Sequence, residues 1–219
     1  MAGFLRPKVP TGREGPPPEG LLAAIRVRED RISSLRGLLE EKIKSDQPMV
    51  FEVGCGHGHW LTSYAESHPG HFCIGVDVLT RRIELAKAKV AKRRLENILF
   101  LKAEALEALE AIPAPESLEA IFVLFPDPWP KKRHQKNRLI QDEFLDFLAR
   151  RFREGLRLYF RTDDAAYFAW TEERFLASRN WELDASLVWP HECHSYFQDL
   201  MEEWKSLGAT LTRSVEAGT

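Results

Sequence analysis

The sequence predicts an α/β protein with a mostly parallel central sheet, helices on both faces and an antiparallel edge. Three observations predict it. From Met49 onward, short apolar runs alternate with longer stretches of helical periodicity, the pattern of βα units joined by right-handed crossovers. The runs are apolar throughout, as strands buried on both faces are. Loops bearing glycines or acids follow them, where such sheets bind ligands.

Residues 1–20 hold five prolines and four glycines among Arg6, Lys8 and Arg13. That composition builds no core and predicts a flexible arm, with 21–219 a single domain that begins in a helix. Leu22, Ile25, Ile32, Leu35, Leu39 and Ile43 mark this helix, from about Leu21 to Lys44. Met49 to Val53 predicts the first strand and Trp60 to Ser67 a helix. Phe72 to Val76 predicts the second strand. A helix from about Leu79 to Leu95 follows, with Ile83, Ala86 and Val90 on one face. Ile98 to Leu101 is the third strand, Glu104 to Glu110 a short helix, and Ala120 to Phe125 the fourth strand. Leu139, Phe144, Phe147, Leu148 and Phe152 stripe the next helix. Gly155 opens the fifth strand, Leu156 to Phe160, and Asp163 is the expected N-cap of a helix running to about Ser178. Trp181, Leu183, Ala185 and Leu187 alternate as a late strand, expected at the antiparallel edge.

Composition narrows the function classes. No apolar run in the 219 residues approaches the ~18 that a membrane span needs. Cys55, Cys73 and Cys193 are odd in number and widely spaced. They argue against a disulfide framework and for a reducing, cytoplasmic setting. A net charge of −2 does not suggest a general nucleic-acid coat, so any polyanion contact must come from a local patch. A monomer is the expected state. His191, Cys193 and His194 cluster, but no second ligand pair stands at zinc spacing, and no metal is expected.

The loop after the first strand reads FEVGCGHG, with Gly54, Gly56 and Gly58 at alternate positions. Small residues there let the backbone approach a ligand at a helix N-terminus. Asp77 ends the second strand, 19 residues after Gly58, where a carboxylate can accept from ribose hydroxyls. A dinucleotide fingerprint needs a small residue where His59 stands. Glu52 also puts negative charge where a pyrophosphate would be repelled. The same carboxylate suits the cationic groups of S-adenosylmethionine, and Glu104 suits an adenine amino group. A paired structural charge is the competing reading of Glu52. His57 and His59 read as shape-fitting or solvent-facing.

The fourth strand runs into Phe125-Pro126-Asp127-Pro128-Trp129-Pro130, a stiff segment poor in backbone donors. It resembles the Asn/Asp-Pro-Pro-aromatic tetrapeptide of enzymes that methylate amino groups, and its competing reading is a rigid turn with a solvated Asp127. Next comes KKRHQKNR, Lys131 to Arg138, with Lys or Arg at five of eight positions. Beside the presumed site it reads as a phosphate contact, which positions a substrate without choosing a base. Its alternative is a solvated face, the reading given to the second basic stretch, Lys87 to Arg94.

Through FEVGCGHG, GVD, FPDPWPKKRHQK and RTD, from about Met49 to Arg174, the chain resembles the bacterial tRNA (guanine-N7-)-methyltransferases. The resemblance implies a Rossmann-like class I methyltransferase fold, S-adenosylmethionine as cofactor, and tRNA as partner, methylated at N7 of a variable-loop guanine. By that resemblance Glu52, Asp77, Glu104 and Asp127 touch the methyl donor, and Asp127 is the catalytic residue. Lys131 and Asp163 contact the substrate, and Arg133, His134, Lys136 and Arg138 the RNA. The chain departs from the family at Asn137, where a second Arg or Lys is usual. It departs again over Gln198 to Gly208, which keeps only an aromatic residue and a glycine of the family's pattern. Two rival readings stand beside this one: a methyltransferase acting on an exocyclic amine, and a non-catalytic RNA-binding module.

Overall fold

A computed structural model describes residues 18–44, 46–186, 188–193 and 203–212. In chain order the elements are α1 (Glu19–Lys42), β1 (Met49–Val53), α2 (His59–Ser67), β2 (Phe72–Asp77), α3 (Thr80–Arg93) and β3 (Ile98–Lys102). They continue through α4 (Ala105–Ala111), β4 (Leu118–Leu124), α5 (Asp142–Arg151), β5 (Arg157–Thr162), α6 (Ala165–Ala177), β6 (Trp181–Leu183) and β7 (Lys205–Leu211). One seven-stranded sheet runs in the order β3-β2-β1-β4-β5-β7-β6. Strands β1 to β5 are parallel, and β7 is antiparallel to both β5 and β6.

The order reverses between β1 and β4, so the carboxyl ends of these two strands open the crevice in which such sheets bind ligands. Glu52 lies in register with Gly75 on one side and Phe122 on the other. The strands are apolar because both faces are covered. One core cluster joins Phe51, Ile74, Ile121 and Leu158 to α1, α4, α5 and α6, and a second joins Val50, Phe100, Phe122 and Tyr159 to α2 and α3. α1 is fastened to α4 by charge: Arg31 Nε donates to Glu107 at 2.9 Å and Arg28 Nη2 to Glu110 at 2.7 Å.

The late edge differs from expectation. The strand predicted from Trp181 to Leu187 stops at Leu183, turns at Ala185, and has Leu187 outside the described residues. It is antiparallel and at the edge, but β7 lies between it and β5. β7 reads KSLGATL. Its single large apolar pair, Leu207 and Leu211, and its central glycine hide a strand that is stabilised by pairing on both sides. Within the basic run, Lys132–Asn137 winds into a 3₁₀ turn. Most of the predicted arm lies outside the described residues; its last two positions, Glu19 and Gly20, belong to α1. Among the described residues no helix is long and apolar enough to cross a membrane.

Candidate active site

At the end of β1 the Glu52 side chain is buried, and its Oε2 has no hydrogen-bond partner among the described residues. Burial, and after it the charge of Asp77, pushes the carboxyl well above the ordinary carboxylate range, against a backbone hydrogen bond from Leu61 in the first turn of α2. Asp77 ends β2, also buried. Its Oδ2 accepts from the Gly56 amide at 3.2 Å and from Arg82 Nη1 at 3.3 Å, while Oδ1 accepts from the Leu79 amide at 2.8 Å. This expected ribose acceptor therefore also shapes the glycine loop and the start of α3. Glu104 stands exposed at the N-cap of α4, just past β3, so the three acids stand at the carboxyl ends of three neighbouring strands.

The glycine loop takes left-handed backbone at Gly54, Gly56 and Gly58. Gly58 differs from the other two. Its amide donates to the Cys55 carbonyl at 2.8 Å, and a Cβ there would meet Phe100 Cζ at 2.5 Å and Ala86 Cβ at 2.8 Å. Its missing side chain makes room for Phe100, a packing requirement that stands beside the cofactor-binding role expected of Gly54, Gly56 and Gly58. Gly75 makes room for the same ring, with a Cβ 2.5 Å from Phe100 Cε1. The Lys87–Arg94 stretch is not wholly solvated either, because Lys89 Nζ donates to the His57 carbonyl at 2.7 Å. Burial, with Lys89 nearby, lowers the pKa of both His57 and His59.

Beyond β4, Phe125 and Trp129 adopt positive φ, 48° and 47°. Bulky residues seldom do so without a local constraint. The constraint comes from prolines at alternate positions and from two tethers. The Phe125 amide donates to the Arg161 carbonyl at 2.8 Å, and the Pro128 carbonyl accepts from Arg138 Nε at 2.8 Å. Asp127 is exposed between half-buried prolines, and Trp129 meets the His134 ring edge at 5.9 Å.

Lys131, Arg133 and Lys136 are exposed on the basic turn and His134 is half-buried. Arg138 is not with them. It is 1% exposed, beneath the turn, with its guanidinium over the rings of Tyr167 and Trp170. A guanidinium buried this way is turned from solvent, which speaks against the RNA contact expected of it. Asp163 is exposed, and the N-cap of α6 is its neighbour Asp164, which accepts from the Tyr167 amide at 2.6 Å. The cap expected of Asp163 is therefore one residue out, which leaves Asp163 facing solvent.

Sequence reasoning missed Arg161. It is 4% exposed near the end of β5, where Nη1 and Nη2 donate to the two Glu192 oxygens at 2.9 Å each and Nε donates to Ser206 Oγ at 2.8 Å. The Trp189 ring centroid lies 3.8 Å from its guanidinium carbon. One arginine thus ties β5, β7 and the 188–193 segment together at the mouth of the crevice. Its place as the first residue of the RTD motif, where the fifth strand ends, was the available signal. His191 docks on α2, with Nε2 2.9 Å from Ser63 Oγ, while its carbonyl accepts from Trp60 Nε1 at 3.0 Å. Cys193 is half-buried and His194 lies outside the described residues. Among the described residues no group of three His, Cys, Asp or Glu side chains could hold a metal ion.

A tRNA (guanine-N(7)-)-methyltransferase of Syntrophotalea carbinolica is 38% identical over 120 residues, which is 55% of this chain and 52% of that protein. One of Thiobacillus denitrificans is 40% identical over 116 residues, 53% of this chain and 51% of that protein. The chain thus spans about half the length of these curated relatives. Among solved structures, the aminoglycoside resistance methyltransferase NpmB1 superposes with a TM-score of 0.56 at 20% identity, over 81% of this chain and 93% of that one. That likeness speaks for the fold, a Rossmann-like class I methyltransferase architecture. A family model described as a putative methyltransferase matches residues 46–208, from the approach to β1 into β7, and the chain belongs to that family.

Proposed function

We propose that the chain transfers the methyl group of S-adenosylmethionine to N7 of a guanine in tRNA, in the cytoplasm. The observation that carries the reading is the position of Asp127: exposed, fenced by prolines at the carboxyl end of β4, next to β1 and followed at once by the basic turn. The names of the curated relatives support guanine N7 and tRNA as the target.

The residues present fit the donor. A buried carboxylate with an unpartnered oxygen suits an ammonium, because a cation beside Glu52 favours the ionised form that burial disfavours. Asp77 Oδ1 has a lone pair left for a ribose hydroxyl, and Glu104 can accept from the adenine amino group. The glycine loop brings backbone close to the methionine part. When bound, S-adenosylmethionine supplies an electrophilic methyl group on a sulfonium.

Guanine N7 carries an in-plane lone pair and no proton, so no general base is needed, and the protein's work is alignment. Asp127 orients the base and stabilises the positive charge that develops on it. Lys131, Arg133, His134 and Lys136 hold phosphates, and Asp163 faces the substrate from the end of β5. Incubation of the chain with unmodified tRNA and labelled S-adenosylmethionine, followed by nucleoside analysis, tests the reading. Label in 7-methylguanosine is the expected result. Label in an N6- or N2-methylated nucleoside would assign the exocyclic-amine chemistry instead.

A further inference from the structure

We propose that Arg138 is a positioning residue that sets the Phe125–Pro130 loop, and Asp127 with it, against α6 and the basic turn. Its kinetic consequence rests on the methyl-transfer reading above; its structural consequence does not. Three segments meet on this side chain. Nε donates to the Pro128 carbonyl at 2.8 Å, and Nη1 donates to the Ala166 carbonyl, in the first turn of α6, at 3.5 Å. The guanidinium carbon lies 4.8 Å from the Tyr167 ring centroid and 5.2 Å from that of Trp170.

The surrounding backbone is fastened to the same helix. Leu139 and Ile140 amides donate to Tyr167 Oη at 2.9 and 3.3 Å, and Trp170 Nε1 donates to the Ile140 carbonyl at 2.9 Å. Gln141 Nε2 closes the basic turn by donating to the carbonyls of Gln135, at 2.9 Å, and Arg138, at 3.2 Å. Burial pushes the Tyr167 hydroxyl up to about 12, so it stays a neutral acceptor for the two amides.

A guanidinium is always charged, and its burial is costly unless fully paired. Here Nη2 has no hydrogen-bond partner among the described residues. An apolar side chain of similar volume would fill the space without that cost. What only arginine provides is a rigid fork that reaches two carbonyls from different segments while its plane packs on aromatic rings. One of those carbonyls follows Asp127 by a single residue, in a loop whose prolines leave it few other hydrogen bonds. Through this fork the phosphate-facing turn and the methyl-acceptor point share one anchor.

The test uses full-length wild type, Arg138→Met and Arg138→Lys, each read by amide hydrogen exchange, titration with S-adenosylmethionine, and turnover on an unmodified tRNA transcript. For Arg138→Met the expected result is faster exchange confined to the 125–140 region with unchanged donor affinity. Its kcat should fall on the order of a hundredfold, as a misplaced reacting group does, with little change in KM for tRNA. Arg138→Lys should fall between the two, because an ammonium keeps the charge but lacks the planar fork that reaches both carbonyls while packing on the rings. Wild-type exchange and kcat in Arg138→Met would overturn the proposal. So would faster exchange across the whole sheet with lost donor affinity, which marks a core residue only. If Arg138→Met does not fold, the same measurements on Arg138→Lys decide. If wild type does not methylate tRNA, the methyl-transfer reading fails, and the exchange data alone uphold or overturn the anchor.

Discussion

The two ends of the crevice are built on opposite principles. Around β1 and β2 the groups are buried acids and left-handed glycines, fixed by backbone contacts between neighbouring strands and the helices that follow them. Around β4 and β5 the proposed reacting carboxylate is exposed on a proline-stiffened loop. Its position depends on two buried arginine residues, Arg138 through its guanidinium and Arg161 through its main-chain carbonyl. The first end is preorganised by burial and the second by bracing. A small cofactor can be enclosed, whereas a loop of a large RNA must be met at the surface, and a surface group needs support from beneath to hold its geometry.

The comparison breaks first at Asp127. If bracing serves to hold this carboxylate at the base, Asp127→Asn lowers kcat by roughly 10²–10³-fold, the range seen when one electrostatic contact to developing charge is removed. Donor affinity falls far less than kcat, because the residue stands outside the buried end. Single-turnover assays on tRNA with calorimetric titration of S-adenosylmethionine check both halves. Near-normal turnover in Asp127→Asn would leave the loop as a rigid turn only.

Glu52 should behave in the opposite way. Loss of its charge in Glu52→Gln weakens donor binding on the order of 10- to 100-fold, from the ~1.5–3 kcal/mol typical of hydrogen bonds to charged groups. The same change stabilises the free protein. A carboxyl whose folded pKa is raised by burial binds a proton that the unfolded chain gives up. Its folded state is therefore unpenalised below the unfolded pKa and loses stability as pH rises from there through the folded pKa. Near neutral pH the Gln variant, which has nothing to ionise, should melt roughly 2–4 °C higher for each kcal/mol relieved. For wild type, donor affinity should fall as pH drops through the raised pKa of Glu52. An equal or lower melting temperature for Glu52→Gln would show that the buried carboxyl is already paired.

The buried end was the more legible in sequence. Continuous apolar runs, a glycine loop and acids at strand ends are local signals, and β1 through β5 each lie within two residues of expectation at either end. At the braced end the motif was legible while its contacts were not. Nothing in KKRHQKNR separates the buried Arg138 from exposed Lys136, since the difference comes from Tyr167 and Trp170, about thirty residues on. Arg161 likewise finds Glu192 and Ser206 across long stretches of chain. β7 was invisible because its stability comes from pairing with β5 and β6, not from its own apolar pattern. The cap misassigned to Asp163 is a local error, between two adjacent acids that fit equally well.

The glycine loop sharpens what burial means at the cofactor end. Gly54→Ala and Gly58→Ala share a φ of +68°, which costs an L-residue about 1–2 kcal/mol. At Gly54 nothing lies within 4 Å of the added Cβ, but at Gly58 it strikes Phe100 and Ala86. Overpacking of this kind adds about 1–3 kcal/mol. Chemical denaturation should therefore rank Gly58→Ala below Gly54→Ala by about that margin, and Phe100→Leu in the Gly58→Ala background should recover part of it. Equal losses at the two positions would mean that the turn alone requires glycine there.

The smallest effects belong to the exposed basic turn, and they separate its surface from its anchor. Lys131→Ala, Arg133→Ala and Lys136→Ala should each weaken tRNA binding by a few-fold and lower the slope of log affinity against log salt by roughly one. None should change kcat at saturating tRNA, because phosphate contacts position a nucleic acid without taking part in its chemistry. Arg138→Met should do the reverse, with the wild-type salt slope retained and kcat reduced, since a buried guanidinium releases no counterion from RNA. A slope reduced by about one in Arg138→Met would mean that this arginine reaches a phosphate in the complex. The division between an exposed turn that binds and a buried anchor that aligns would then fail at the residue that defines it.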